Sequence, residues 1–160
     1  PIEAVALGAL KLTPGVRIRD ILNKGVSLRC FDQKGNKHLW HPLFLPGQTW
    51  PTIKDLDIIL AASKSNQTEI ELKIADYSLG GINDVIYVNG IPRIKENSNN
   101  PKLTPWEDFF MSIPLEPPGK CGEDCLKLSF SINENCELVV NTTDLRSGEK
   151  VIQRSIGLLQ

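Results

Sequence analysis

The chain has 160 residues, enough for about one domain with a core of its own. Apolar residues make up 41%, charged residues 23%, and the formal net charge is −1. This balance excludes a basic nucleic-acid tail, a disordered acidic segment and a collagen-like repeat. No apolar run nears the roughly 18 residues of a membrane span.

The chain opens on a helix-prone stretch, residues 3 to 12, stopped by Pro14-Gly15. It lacks a basic flank, and Ala4 to Leu10 is short for a signal core, so the expected compartment is cytoplasmic. Val16 to Leu22 alternates partly and reads as a half-buried strand or an extended connector. From there the texture is that of strands. Val26, Leu28 and Cys30 share one parity, and Asp32 to Asn36 is a turn cluster. His38 to Leu45 is the next strand, closed by Pro46-Gly47. Leu56 to Ala62 is apolar on both parities, which predicts a strand buried on both faces. After a turn at Ser63 to Asn66, Gln67 to Ile74 alternates strictly, with Thr68, Ile70, Leu72 and Ile74 inward.

Val85 to Val88 and Ile91 to Ile94 flank Asn89-Gly90, a strong hairpin dipeptide. Asn97 to Pro101 reads as a polar loop, and Phe109 to Leu115 as a short strand ended by Glu116-Pro117-Pro118-Gly119. Leu126, Leu128, Phe130 and Ile132 then alternate with Lys127, Ser129 and Ser131. A turn at Asn133 to Asn135 keeps Leu138 and Val140 on their face, whereas a one-residue slip would bury Glu137. Arg146 to Glu149 is the last turn, and Val151-Ile152 starts a final strand. Roughly eight strands at about ten-residue intervals predict a mainly β, two-layer antiparallel sandwich or a barrel.

Motifs for chemistry are sparse. His38 and His41 stand three apart on a strand, so their rings point to opposite faces and do not chelate together. The four cysteines are Cys30, Cys121, Cys125 and Cys136. Reduced thiols are the simplest reading, with a disulfide or a zinc site as alternatives, and the drawn hairpin would let Cys136 approach Cys125. No Walker loop, dinucleotide glycine pattern or nucleophile elbow is present. Trp40, Trp50 and Trp106 would serve a stacking platform or, more simply, packing. Asn66 and Asn141 each head a glycosylation sequon, which matters only in a secretory compartment.

Several segments taken in order resemble the seventy-kilodalton heat-shock chaperone family, of the DnaK type. Pro1 to Ala9 resembles the P-D-E-A-V-A-x-G-A end of its ATPase domain. Ser27-Leu28, Pro42-Leu43-Phe44 and Thr49-Trp50-Pro51-Thr52 resemble its S-L-G-I … L-I … T-I-P-T strands. Ser65 to Leu72 resembles D-N-Q-T-x-V-x-I, Leu126 to Leu138 resembles I-E-V-T-F-D-I-D-x-N-G-I-L, and Asp144 to Lys150 resembles K-x-x-G-K.

The resemblance implies that residues 1–24 end an ATPase domain and its linker, with a peptide-binding β-sandwich over 25–160. It implies a fragment that holds extended apolar segments of unfolded polypeptide and performs no chemistry. ATP and Mg²⁺ would act in a preceding domain, and a helical lid would follow. A J-domain co-chaperone and a nucleotide-exchange factor would be partners; nucleic acid and membrane would not. Carried over by position, Ile70 is the pocket floor, Leu60, Leu72 and Leu126 line it, and Gln67 lies near the peptide backbone. Cys30 stands at an aliphatic position of the groove, and Gln33 and Ser63 at its two arch positions.

Departures from the pattern are also visible. Arg29 replaces a glycine, the hairpin Val85 to Ile94 is an insertion, and Cys136 replaces the turn glycine, which shifts the expected left-handed residue to Asn135. Two alternatives stay open: a structural or interaction domain with a closed pocket, and an enzyme using Cys121 or Cys125.

Overall fold

The computed structural model describes residues 20–78, 84–95 and 102–159. The helix-prone opening, Pro14-Gly15 and the Asn97 to Pro101 loop lie outside them. Within the described residues the chain is all β.

One four-stranded antiparallel sheet has the order β10-β7-β2-β3, built from β2 (Gly25–Asp32), β3 (Lys37–Phe44), β7 (Ile74–Ser78) and β10 (Lys102–Pro105). The second has the order β14-β13-β12-β5, built from β5 (Leu56–Ala61), β12 (Asp124–Ile132), β13 (Glu137–Asp144) and β14 (Lys150–Leu158). β6 (Gln67–Leu72) and β11 (Met111–Gly119) pair with each other in a two-stranded sheet. Two small ladders complete the fold: β1 (Asp20–Ile21) with β4 (Thr49–Trp50), and β8 (Asp84–Val88) with β9 (Ile91–Lys95). Both four-stranded sheets feed one core, in which Val26 and Leu28 of β2 join Leu126, Leu128 and Phe130 of β12, all fully buried. Burial of each such aliphatic side chain stabilises by about 1.5–3 kcal/mol, which is why alternation decides the layers.

The hairpin of β12 and β13 follows its pattern: Phe130 faces Val140 and Ile132 faces Leu138. Its turn differs in one respect. The left-handed residue is Cys136, at φ 58°, not Asn135. Asn133 explains this, because its Oδ1 accepts the N–H groups of both Asn135 and Glu137 at 3.0 Å. That frame leaves the reversal to the residue between them. The pairing also keeps Cys136 away from Cys125. Cys136 sits at the turn and Cys125 at the far end of β12, about seven strand residues or roughly 23 Å below Ile132.

Three further expectations change. Leu56 to Ala62 is not buried on both faces: β5 is the edge strand of its sheet, Leu56, Ile58 and Leu60 are half-buried, and Ile59 is 55% exposed. The Phe109 strand starts at Met111 instead, since Trp106 to Phe109 forms a turn closed by a 3.3 Å backbone bond. It then continues through Gly119 with an irregularity after Pro114. Fourteen strand segments stand among the described residues where periodicity implies about eight. The excess consists of short ladders and of one run, Gln67 to Ser78, broken at Lys73.

Residues 20–22 belong to the sandwich body. Leu22 is buried, its N–H donates to the Gln48 carbonyl at 2.8 Å, and its own carbonyl accepts from the Gly47 N–H. Asn89-Gly90 turns β8 into β9 with both residues at positive φ, 53° and 76°, as a two-residue hairpin requires. No helix among the described residues is long and apolar enough to cross a membrane.

Candidate functional site: a groove between parted strands

β7 pairs with β2 from Gly25↔Tyr77 to Leu28↔Ile74, and one more bond follows, from the Arg29 N–H to the Lys73 carbonyl at 2.9 Å. Beyond Lys73 the run changes partner. β6 pairs with β11, Leu72↔Met111 and Ile70↔Ile113, while β2 keeps β3. The strands β2 and β6 therefore part, and a cavity of about 1200 Å³ opens between them. Consecutive residues of β6, from Gln67 to Leu72, line it, as do Arg29 to Asp32 of β2, His38 to His41 of β3 and Ile58 to Ala61 of β5. Lining by both parities of a strand means that the cavity meets its edge, not only one of its faces. The six residues of β6 give the opening a length of about 20 Å.

The residues carried over from the resemblance fall as follows. Cys30, Gln33, Leu60, Ser63, Gln67, Ile70 and Leu72 all line this cavity. Leu126 does not: it pairs with Leu60, is fully buried in an interior strand, and belongs to the core. Ile70 is 8% exposed and Leu72 only 1%, so the floor is mostly covered. Thr68, expected inward, is exposed at the rim.

Polar side chains occupy edge groups of the parted strands and neighbouring loops. The Gln67 amide donates to the Glu69 carbonyl at 2.8 Å, and its Oε1 accepts from the Ser63 N–H at 2.8 Å. Gln33, in the turn after β2, donates to the Ala62 carbonyl at 3.4 Å and to Cys121 Sγ at 3.7 Å. Cys121 in turn donates to the Ser63 carbonyl at 3.5 Å. Three loops, after β2, β5 and β11, are thus fastened at one end of the groove. Sequence reasoning missed the third loop, because nothing in the Cys121 to Cys125 spacing tells which distant turn it meets.

That loop is braced from below. Asp144 accepts two bonds from the Arg146 guanidinium, at 3.1 and 2.9 Å, and one from the Arg146 N–H at 2.9 Å. Arg146 also donates to the Pro117 carbonyl and stands 3.6 Å from Glu123. The guanidinium holds the Asp144 carboxyl below its ordinary range. This pair was also missed; the only available signal was a turn carrying Asp and Arg two residues apart.

The cysteines are free thiols. Burial pushes the Cys30, Cys125 and Cys136 thiols up, with Arg146 pulling Cys125 partly back. A raised thiol is a poor nucleophile. Among the described residues no histidine is hydrogen-bonded to a cysteine, and no cluster of three His, Cys, Asp or Glu side chains is placed to hold a metal. His38 packs edge-on to Phe31, with ring centroids 5.3 Å apart. The tryptophans form no platform: Trp40 lines the groove, Trp50 packs on the core, and Trp106 donates to Asp76 at 2.8 Å. Of the two sequons, Asn66 is exposed, while the Asn141 Oδ1 and Thr142 are buried.

No protein-family model and no curated protein matches this chain.

Proposed function

We propose that this chain is the peptide-holding β-sandwich of a divergent relative of the DnaK-like chaperones. It accepts an extended apolar segment of an unfolded polypeptide and does no chemistry itself. The observation that carries this is the parting of β2 and β6 at Lys73, which leaves edges of both strands on a groove that β3 and β5 also line. An extended segment laid there would gain main-chain hydrogen bonds from the edges and a side-chain seat near Ile70. On the same reading, ATP and Mg²⁺ act in another domain of a longer cytoplasmic protein and set release, with a J-domain co-chaperone and an exchange factor as partners.

The test is fluorescence anisotropy of a labelled leucine-rich peptide with the wild type and with Ile70→Trp, whose fold is checked by circular dichroism. Wild type should bind weakly and the variant several-fold more weakly. Equal binding by both would refute the pocket. The covered floor favours one second reading, a closed interaction domain that holds no peptide. Absence of binding by wild type across leucine-, isoleucine- and phenylalanine-centred peptides would decide for it.

A further inference from the structure

The groove lining carries three cations, Arg29, Lys34 and Lys64, and three carboxylates, Asp32, Glu69 and Glu71. The two signs are not equally available. Glu71 is engaged by the Lys73 ammonium at 2.8 Å and, from beyond ion-pair distance, also lies in the field of Arg29. Glu69 accepts from the Ser112 hydroxyl at 2.7 Å, and Ser112 lies on β11, along the edge of β6 away from β2. Asp32 accepts the Lys34 N–H at 3.1 Å, folded back on its own turn. Among the described residues, no carboxylate lies within 4.0 Å of the charged groups of Arg29, Lys34 or Lys64. The cations are also placed apart. Arg29 stands where β2 and β6 part, and Lys34 and Lys64 stand in the loops at the other end. Ile70, Leu60 and Cys30 lie between them.

We propose that the segment preferred by this groove carries an acidic residue on each side of a central apolar residue. This rests on the groove holding a peptide, and charge complementarity then sets which peptide. Two exposed ion pairs should favour the acidic segment roughly two- to thirtyfold.

The experiment uses three labelled heptapeptides with a central leucine, flanked on both sides at the second position by aspartate, by asparagine or by lysine. Anisotropy titrations with the 160-residue chain are run at low salt and at about 1 M salt, where the Debye length shrinks to roughly 3 Å. The expected order at low salt is aspartate, asparagine, lysine, collapsing at high salt. The Arg29→Gln/Lys34→Gln/Lys64→Gln triple variant, checked for folding by circular dichroism, should abolish the aspartate preference. In the wild type, equal binding of the aspartate and lysine peptides or a preference for lysine, and in the triple variant an aspartate preference that survives, would overturn the proposal. Binding of none of the three would instead remove the groove reading itself, and this proposal with it.

Discussion

Replacing Asp144 by Asn removes the charge from the brace beneath the groove. Asp144 is 4% exposed, and its partner's side chain 16%. The amide keeps the shape but turns one oxygen into a donor facing the Arg146 guanidinium, and only part of the three-bond set survives. Breaking a fully buried ion pair costs about 3–5 kcal/mol. Arg146 keeps some water and its bond to the Pro117 carbonyl, so the loss here should be about 2–3 kcal/mol. For a chain of this length that lowers Tm by about 4–12 °C. The pH dependence follows from the lowered Asp144 value. A carboxyl depressed in the folded state adds stability above its unfolded pKa of about 3.9, and loses it as pH falls through the folded value. Urea unfolding of both proteins, followed by circular dichroism at pH 7 and at stepwise lower pH, should show a gap at pH 7 that narrows in acid. A gap below about 0.5 kcal/mol at pH 7, or one unchanged in strong acid, would refute a charged brace. The effect should also reach the groove. Ala62 exchanges hydrogen bonds with Glu123 and Gly122 of the braced loop, and its carbonyl also receives Gln33.

Two other outcomes check the packing and the thiols. A Cβ at Gly157 would lie 2.5 and 2.8 Å from the Trp106 ring, so Gly157→Ala should cost about 1–3 kcal/mol and shift the Trp106 emission; an unchanged Tm would contradict the close approach. In native protein, Ellman's reagent should react first with Cys121, the exposed thiol, and reach Cys125 and Cys136 only on unfolding. Immediate labelling of Cys125 would revive the reading of it as a nucleophile.

Much of the fold is legible because burial and alternation are the same fact for a strand with one face on the core. Leu126 to Ile132 shows it: the apolar parity packs inward and Lys127, Ser129 and Ser131 are only half-buried. Asn89-Gly90 is legible for a local reason, since both residues tolerate the positive φ that the turn needs. Other features depend on partners that periodicity does not encode. Ile59 is apolar and half-exposed because β5 happens to lie at a sheet edge. Leu126 reads the same as Leu60 in sequence, yet one is enclosed by neighbours on both sides and the other meets the groove. β10 escaped notice because four residues containing Lys102 and Pro105 carry too little pattern to mark a strand.

The groove itself turns on such a hidden partner. Thr68, Ile70, Leu72 and Ile74 keep one unbroken parity, so in sequence they form a single strand. In the fold that strand serves two ladders: Ile74 faces β2, while Leu72 and Ile70 face β11. Parity survives the exchange because the same core lies beneath both halves, and Ile70, Leu72 and Ile74 are all buried. What changes at Lys73 is the edge, and edges leave no trace in an alternating pattern. Two strand edges left open in a body this size invite pairing with a stranger chain. Here the polar neighbours of that opening limit it: Gln67 caps the Glu69 carbonyl, and Gln33 ties the flanking turn to Ala62. Such caps are single, exchangeable hydrogen bonds, each contributing about 0.5–1.5 kcal/mol. On the proposed reading, an extended segment would displace them one at a time, as a holding groove requires and a closed core does not.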